Sequence, residues 1–306
     1  MPRLVSVGNV VVDLLAELPR LPVPGEDLTA TASGISIGGS ANSLVAARRQ
    51  GMEAIYAGAF GSGPLGTFVR AELEREGIGI AHAAIDGDTG WDVAMVQPGG
   101  ERTFVTTVGA EARLDAAALS ALSFEGDDLL HVSGYGLARE PSGSSLAAWL
   151  PAVDRAVTVL LDPGPLFAGL APEIIDPVLA RIDWWSGNEA EALAATGAPD
   201  AETAAADLTA RGFGVVVRQG PSGCLIAERG TAVHRVPGFA VDAIDSNGAG
   251  DTHVGVFLAA LASGIAPGEA ARRANAAAAI AVTRRGPTAA PAADELDAFL
   301  QSADPS

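Results

Sequence analysis

A short run near the C-terminal end of the chain combines small residues with two carboxylates: Asp245-Ser246-Asn247-Gly248-Ala249-Gly250-Asp251-Thr252. An apolar, proline-free segment follows, which predicts a helix over residues 250–263. A Gly-Ala-Gly turn that enters a helix presents free backbone N–H groups at the positive end of the helix dipole, and such groups bind anions. The run therefore predicts an anion site with Asp251 beside it.

Asp251 is unusual in that setting, because a carboxylate repels an anion. The combination suits phosphoryl transfer, in which N–H groups stabilise the moving phosphoryl group and a carboxylate takes the proton of the attacking hydroxyl. A structural alternative exists, since Asp is also a favoured helix N-cap. These eight residues alone leave both interpretations open.

The composition limits the class of protein and its partners. The chain has 306 residues, of which 48% are hydrophobic, enough for a large α/β core. A formal net charge of −18 disfavours nucleic acid and anionic membranes as partners, because no basic surface is available to neutralise phosphates. We expect neither a signal peptide nor a membrane span. The single cysteine, Cys224, fits a reducing, cytoplasmic setting.

Short apolar strands alternate with helical segments, which predicts an α/β fold with a mostly parallel sheet covered on both faces. Residues 89–97 and 102–108 flank a turn and predict a hairpin. That hairpin would form a small separate sheet with strand 29–37. Residues 38–42 are predicted as a turn before a helix over 43–50.

Ligands bind beyond the carboxyl ends of the strands in a parallel sheet. Asp13, Asn188 and Gly220 all lie at predicted strand exits. We therefore expect them to converge on one crevice with Asp251.

Four segments, in this order, resemble the signatures of the ribokinase-like (PfkB-type) carbohydrate kinases, and the likeness extends over almost the whole chain. They are Gly38-Gly39-Ser40-Ala41-Asn42, Asn188-Glu189-Ala190-Glu191, residues 245–261 with their Gly-Ala-Gly-Asp core, and residues 275–287. The resemblance implies one domain over residues 1–306 with a three-layer ribokinase-like fold. It also implies a small antiparallel β lid, built from roughly residues 10–37 and 89–108.

The resemblance implies an ATP-dependent phosphotransferase that acts on the terminal hydroxymethyl group of a sugar. Asp251 would be the general base, and the N–H groups of Gly248, Ala249 and Gly250 would stabilise the transferring phosphoryl group. The residues implied for the sugar pocket are Asp13, Gly38, Gly39 and Asn42. Arg102, in the lid, would either reach a polar or anionic acceptor or remain a solvated hairpin charge.

The resemblance also implies a nucleotide site and two kinds of cation. The implied nucleotide-binding residues are Asn188, Arg218, Gly220, Ser222, Gly223 and Asn275. Glu191 would hold Mg²⁺ through water, because Mg²⁺ dehydrates reluctantly; Asn188 and Glu191 also have the spacing of a helix capping box. A potassium-type site is implied at Asp245, Asn247 and the carbonyls of Ala281, Arg284, Gly286 and Ala290. A shared lid would make the protein a homodimer.

The acceptor stays open. Val11 stands where ribose-specific members of the family carry Asn, so a nucleoside kinase and a sugar-acid (ketodeoxygluconate-type) kinase are alternatives to a ribokinase- or fructokinase-like enzyme. A non-catalytic sugar- or nucleotide-binding regulator is the alternative from a different class. Asp251 argues against it, because a pure binder has no use for a base beside an anion site.

Overall fold

The computed structural model of the chain describes residues 2–98 and 102–303. The strands are β1 (Arg3–Ser6), β2 (Val10–Glu17), β3 (Ala32–Gly39), β4 (Glu53–Tyr56), β5 (Gly79–Ile80), β6 (Trp91–Val96), β7 (Arg102–Thr106), β8 (Leu129–Ser133), β9 (Thr158–Asp162), β10 (Trp184–Asn188), β11 (Gly214–Arg218), β12 (Cys224–Ala227) and β13 (His234–Val236). The helices are α1 (Ser40–Arg49), α2 (Pro64–Arg75), α3 (Ala116–Ser120), α4 (Gly134–Leu137), α5 (Ser142–Trp149), α6 (Pro172–Leu179), α7 (Glu189–Thr196), α8 (Ala201–Thr209), α9 (Ala249–Ala262), α10 (Pro267–Val282) and α11 (Ala293–Ala303).

The main sheet has nine strands in the order β13-β12-β11-β10-β9-β8-β1-β4-β5. The seven strands from β11 to β5 are parallel, and β12 and β13 form an antiparallel hairpin at the edge. Successive residues of a strand point to opposite faces, so Val215 and Val217 enter one core while Val216 enters the other. The predicted three-layer α/β architecture, with helices on both faces, is therefore confirmed.

The second sheet has four strands in the order β3-β2-β6-β7. The outer pairs, β2 with β3 and β6 with β7, are antiparallel, while the central pair β2 and β6 is parallel. Both segments predicted for the lid, residues 10–37 and 89–108, supply its strands. The chain passes from the main sheet into this lid sheet between β1 and β2, at residues 7–9.

Two local predictions are wrong. Residues 38–42 are not a turn, because β3 continues through Gly39 and α1 begins at Ser40. Gly39 has φ 63°, a left-handed conformation that glycine adopts readily, and this lets the strand turn directly into the helix. Asp13 does not follow a main-sheet strand; it lies inside β2, on the lid.

Helices α1 and α9 pack closely on one face of the main sheet. A Cβ added at Gly255 of α9 would run into the backbone carbonyl of Ser43 and the side chain of Ala46 on α1. The absence of that side chain lets the two backbones approach, which brings the start of α1 beside the start of α9. Among the helices of the described residues, none is long and apolar enough to cross a bilayer.

Candidate active site

Helix α9 begins in the glycine turn that the sequence singles out. Gly248 has φ 72°, and a Cβ there would collide with the backbone carbonyl of Pro287, so the position favours glycine. Thr252 N–H donates to the Gly248 carbonyl at 2.8 Å, which closes the first helical turn. The N–H groups of this turn lie at the positive end of the helix dipole, as an anion site requires.

A cavity of about 490 Å³ lies between the lid sheet and the carboxyl ends of the main strands, and Asp13 and Asp251 both line it. Asp251 comes from α9 and Asp13 from β2, so the cavity brings the predicted base and the predicted acceptor carboxylate together. Asn42 of α1 also lines it, and its Nδ2 donates to Asp251 Oδ2 at 3.0 Å. Asp251 therefore faces the cavity rather than bulk solvent.

The two carboxyl groups have raised pKa values. Burial raises the pKa of Asp251 to about 6, with a further contribution from the charge of Asp162, while the Asn42 hydrogen bond lowers it. Burial also raises the pKa of Asp13 to about 7, helped by the charges of Asp92 and Asp251. Of the two carboxyl groups, Asp251 thus ionises at the lower pH and is the better placed to be an ionised proton acceptor at neutral pH.

Gly38 and Gly39 have different roles beside Asp13. A Cβ at Gly38 would collide with the Asp13 carboxylate, so Gly38 leaves room for that side chain. Gly39 lines the cavity itself. Arg102 is the first residue of β7, and its side chain lies outside the described part of the structure.

Arg218, the last residue of β11, lies at the centre of the site. Its Nη2 is 3.4 Å from Asp162 Oδ1 and 3.8 Å from Glu191 Oε2. Its Nη1 is 3.2 Å from Ser186 Oγ and 3.5 Å from the Gly250 carbonyl. One guanidinium therefore connects two carboxylates to the glycine turn.

Asn188 and Glu191 form the predicted capping box at the start of α7. Asn188 Oδ1 accepts from Glu191 N–H at 2.9 Å, and Glu191 Oε2 accepts from Asn188 N–H at 2.8 Å. Both side chains also line the 490 Å³ cavity, so the cap does not remove them from the site. Within residues 2–98 and 102–303, no group of three or more His, Cys, Asp or Glu side chains could hold a metal.

A second cavity, of about 580 Å³, adjoins the first, and Asn188, Arg218 and Gly250 line both. Three more of the residues predicted to bind the nucleotide, Gly220, Gly223 and Asn275, also line the second cavity, whereas Ser222 is exposed and does not line it.

The side-chain amide of Asn275 forms hydrogen bonds with other residues in the wall of the second cavity. Its Nδ2 donates to the carbonyls of Val236 and Pro237 at 3.1 Å, and its Oδ1 lies 3.1 Å from His253 Nε2.

The residues predicted for a potassium-type site surround the turn that follows α10. Asp245 Oδ1 accepts from Asn247 N–H at 2.8 Å, and its Oδ2 accepts from Gly286 N–H at 3.1 Å. Two of the predicted carbonyls also accept protein hydrogen bonds. Ala290 O accepts from Arg49 at 2.7 Å, and Ala281 O accepts from Arg284 N–H at 3.0 Å.

The polar residues of the first cavity that sequence reasoning missed include Asp92, His131 and Asp162. Asp162 is the last residue of β9, so the strand-exit rule could have found it. His131 lies inside the buried strand β8, where its Nδ1 is 2.9 Å from Ser6 Oγ, and nothing in the sequence marks it. Burial lowers the pKa of His131 to about 4, so it is neutral at physiological pH.

Comparisons with known proteins bear on the family and the fold of the chain. The family model described as pfkB family carbohydrate kinase matches residues 1–294. An uncharacterised sugar kinase of Escherichia coli (strain K12) is 33% identical over 299 residues, which cover 95% of this chain and 91% of that protein.

Two solved structures are similar over nearly the whole chain. The ribokinase of Thermotoga maritima has a TM-score of 0.85 at 27% identity and covers 98% of this chain and 100% of that one. The second is a ribokinase of Cryptococcus neoformans var. grubii serotype A, solved in complex with ADP. It has a TM-score of 0.79 at 25% identity, and the match covers 97% of this chain and 98% of that chain. These likenesses confirm the predicted fold.

Proposed function

The chain belongs to the pfkB family of carbohydrate kinases, and from that premise we propose that it transfers the γ-phosphoryl group of ATP to the terminal hydroxymethyl group of a sugar. One observation carries the proposal: two adjoining cavities, one with Asp13 and Asp251 and one with Asn275, meet at Gly250. An acceptor in the first cavity and a nucleotide in the second would meet at the start of α9.

Asp251 acts as the general base. Its pKa of about 6 leaves it ionised at neutral pH but still basic enough to take the proton of an attacking hydroxyl. The N–H groups of residues 248–250 stabilise the negative charge that develops on the transferring phosphoryl group. The lid sheet covers the first cavity and excludes water, which suppresses hydrolysis of ATP.

The site also fits a magnesium–nucleotide complex. Mg²⁺ is usually held by one or two carboxylates, water and substrate phosphates, and it neutralises phosphate charge during transfer. Glu191 lines the cavity beside Arg218 and would orient metal-bound water.

Glu191→Gln tests the metal role. The substitution keeps the capping box, because Gln can accept the Asn188 N–H, and it should raise the Mg²⁺ concentration needed for half-maximal activity about tenfold. Glu189→Gln, on the same helical turn but exposed, is the matched control. Equal Mg²⁺ dependence in the two variants would remove Glu191 from metal binding.

A saturating panel of sugars, with ADP release as the readout, tests the proposed function. Turnover of a sugar by the wild type, lost in Asp251→Asn, is the expected result. ATP binding without ADP release from any acceptor, sugar or nucleoside, would favour a binding protein instead.

A nucleoside is the second candidate acceptor. Phe104 of the lid and Tyr135 of α4 both line the first cavity, and they are 50% and 42% exposed. Aromatic faces of this kind stack on nucleobases. Phe104→Ala should raise KM for a nucleoside several-fold and leave KM for the matching free sugar unchanged, if the acceptor is a nucleoside.

A monovalent cation beside Asp245 is a further part of the proposal. The Asp245 carboxylate joins the loop before Gly248 to the turn at Gly286, so a cation there would fix the anion-binding turn. Replacing K⁺ by tetramethylammonium should lower kcat. An unchanged kcat would show that the hydrogen bonds of Asp245 suffice without a cation.

The homodimer also remains a proposal. Ile35 and Val105 of the lid strands are 53% and 51% exposed, and a second copy of the lid would cover them. Light scattering should give twice the monomer mass for the wild type and the monomer mass for Val105→Asp. A monomeric wild type would contradict the shared lid.

A further inference from the structure

Asp92 lies directly beside Asp13 on the lid. Strands β2 and β6 pair in parallel, and the register places Asp92 opposite Asp13. Both side chains line the 490 Å³ cavity, where Asp251 is a third carboxyl group. Asp92 Oδ1 is buried and has no hydrogen-bond partner among the described residues. This atom is therefore available to a bound acceptor.

Other buried polar atoms in the same cavity also lack a partner in the described structure. They include Ser40 Oγ, Asn42 Oδ1 and His131 Nε2. The three residues are only 3%, 4% and 1% exposed. Buried polar groups are almost always hydrogen-bonded, so these atoms point to a ligand that carries several polar groups of its own.

Negative charge dominates the surroundings of the two lid carboxyls. The charges of Asp92 and Asp251 both raise the pKa of Asp13, and one of the two Nδ2 hydrogens of Asn42 is donated to Asp251. Among the arginines whose side chains the structure describes, Arg139 and Arg218 line the same cavity. Arg218 is already paired with Asp162 and Glu191. Of the two, Arg139, which follows α4, is therefore the cation that could favour an anionic acceptor.

We propose that Asp92 is a specificity-determining residue that, together with Asp13, hydrogen-bonds hydroxyl groups of the acceptor and excludes acceptors that carry a carboxylate or a phosphate. The inference rests on the proposed function and narrows its acceptor class. Carboxylate oxygens accept from hydroxyls, which suits a neutral sugar or nucleoside. A carboxylate or phosphate in the same place would meet like charges.

The test uses pairs of acceptors that share a carbon skeleton, namely a neutral sugar, its sugar acid and its sugar phosphate. ADP release is measured for the wild type, Asp92→Asn and Asp92→Ser. Asp27→Asn is the matched control, because it removes one negative charge from an exposed lid loop outside the cavity. Thermal unfolding and KM for ATP show whether each variant is folded.

We expect the wild type to favour the neutral acceptor over its anionic partners. Asp92→Asn should raise KM for the neutral acceptor about 10- to 100-fold, as expected for loss of a hydrogen bond to a charged group, with little change in kcat. Asp92→Asn should also reduce the preference of the enzyme for the neutral acceptor over the anionic acceptors. Asp92→Ser should have the same two effects. Asp27→Asn should match the wild type.

Two results would overturn the proposal. One is an unchanged KM for the neutral acceptor in both Asp92 variants. The other is a wild-type preference for the sugar acid or phosphate that disappears in Arg139→Gln. Absence of ADP release from every acceptor, neutral or anionic, is a different outcome, because it would overturn the proposed function and this inference with it.

Discussion

The side-chain amide of Asn42 donates to Asp251 across 3.0 Å, although 209 positions separate the two residues. The bond joins the first turn of α1 to the first turn of α9. It fixes the orientation of the carboxylate that is proposed to take the proton, and it leaves the second oxygen of Asp251 for the acceptor. Two signatures far apart in the sequence thus meet in one site.

Asp251→Asn removes the proposed base with little change in shape. We expect turnover to fall by ~10²–10⁴, the usual contribution of a positioned general base. ATP affinity should change little, because the glycine turn and Arg218 remain. Steady-state kinetics and calorimetric titration with ATP measure the two effects. Asp127→Asn, on an exposed turn, is the control, and turnover equal to that control would remove Asp251 from the mechanism.

The pH dependence of the reaction should report Asp251. The pKa of Asp251 is about 6, raised by burial and by the charges of Asp162 and Glu191, and lowered by Asn42 and Arg218. The ionised form is the active base, so kcat/KM should fall as the pH drops through about 6.

Asn42→Ala tests whether the acid limb reports Asp251, because the Asn42 hydrogen bond lowers the pKa of that residue. Losing a hydrogen bond to the ionised form should move the acid limb upward by roughly one pH unit. An acid limb at the same pH in both proteins would assign the titration to another group.

Asp13 should reduce the stability of the free protein at high pH. Its pKa is raised from 3.8 to about 7 in the folded state, so its contribution to stability is fully present below pH 3.8 and is lost as the pH rises through about 7. Asp13→Asn removes this titration. Its free energy of unfolding should exceed that of the wild type by on the order of 1–3 kcal/mol at pH 8, and by less at pH 5.

Urea unfolding at the two pH values measures the difference, and acceptor binding should be weakened in the same variant. Asp27→Asn again serves as the control for removal of a lid charge. A variant no more stable than the wild type at pH 8 would show that Asp13 is well solvated.

The layers of the fold follow from periodicity, because short apolar strands between helices have few other ways to bury both faces of a sheet. The start of α9 was predicted within one residue, since glycine and small-residue patterns are local signals.

The position of Asp92 beside Asp13 could not be predicted from local sequence patterns. It depends on the β2–β6 register, which pairs residues 79 positions apart. Parallel pairing of that kind leaves no local trace. His131 is hidden for a similar reason, since a histidine inside an apolar strand has the pattern of an ordinary core residue.

Gly255→Ala tests whether close packing of α1 on α9 positions the catalytic pair. The added methyl group would press on the backbone carbonyl of Ser43, and backbone cannot move aside as a flexible side chain can. We expect a loss of about 1–3 kcal/mol in the free energy of unfolding, as is usual for overpacking. We also expect a larger fall in kcat than in ATP affinity, because Asn42 and Asp251 would be pushed apart.

Gly169→Ala is the matched control, since a Cβ there meets no atom within 4 Å. A variant that is destabilised but retains full kcat would show that the Asn42–Asp251 bond tolerates a shift between the helices, and that the positioning comes from elsewhere.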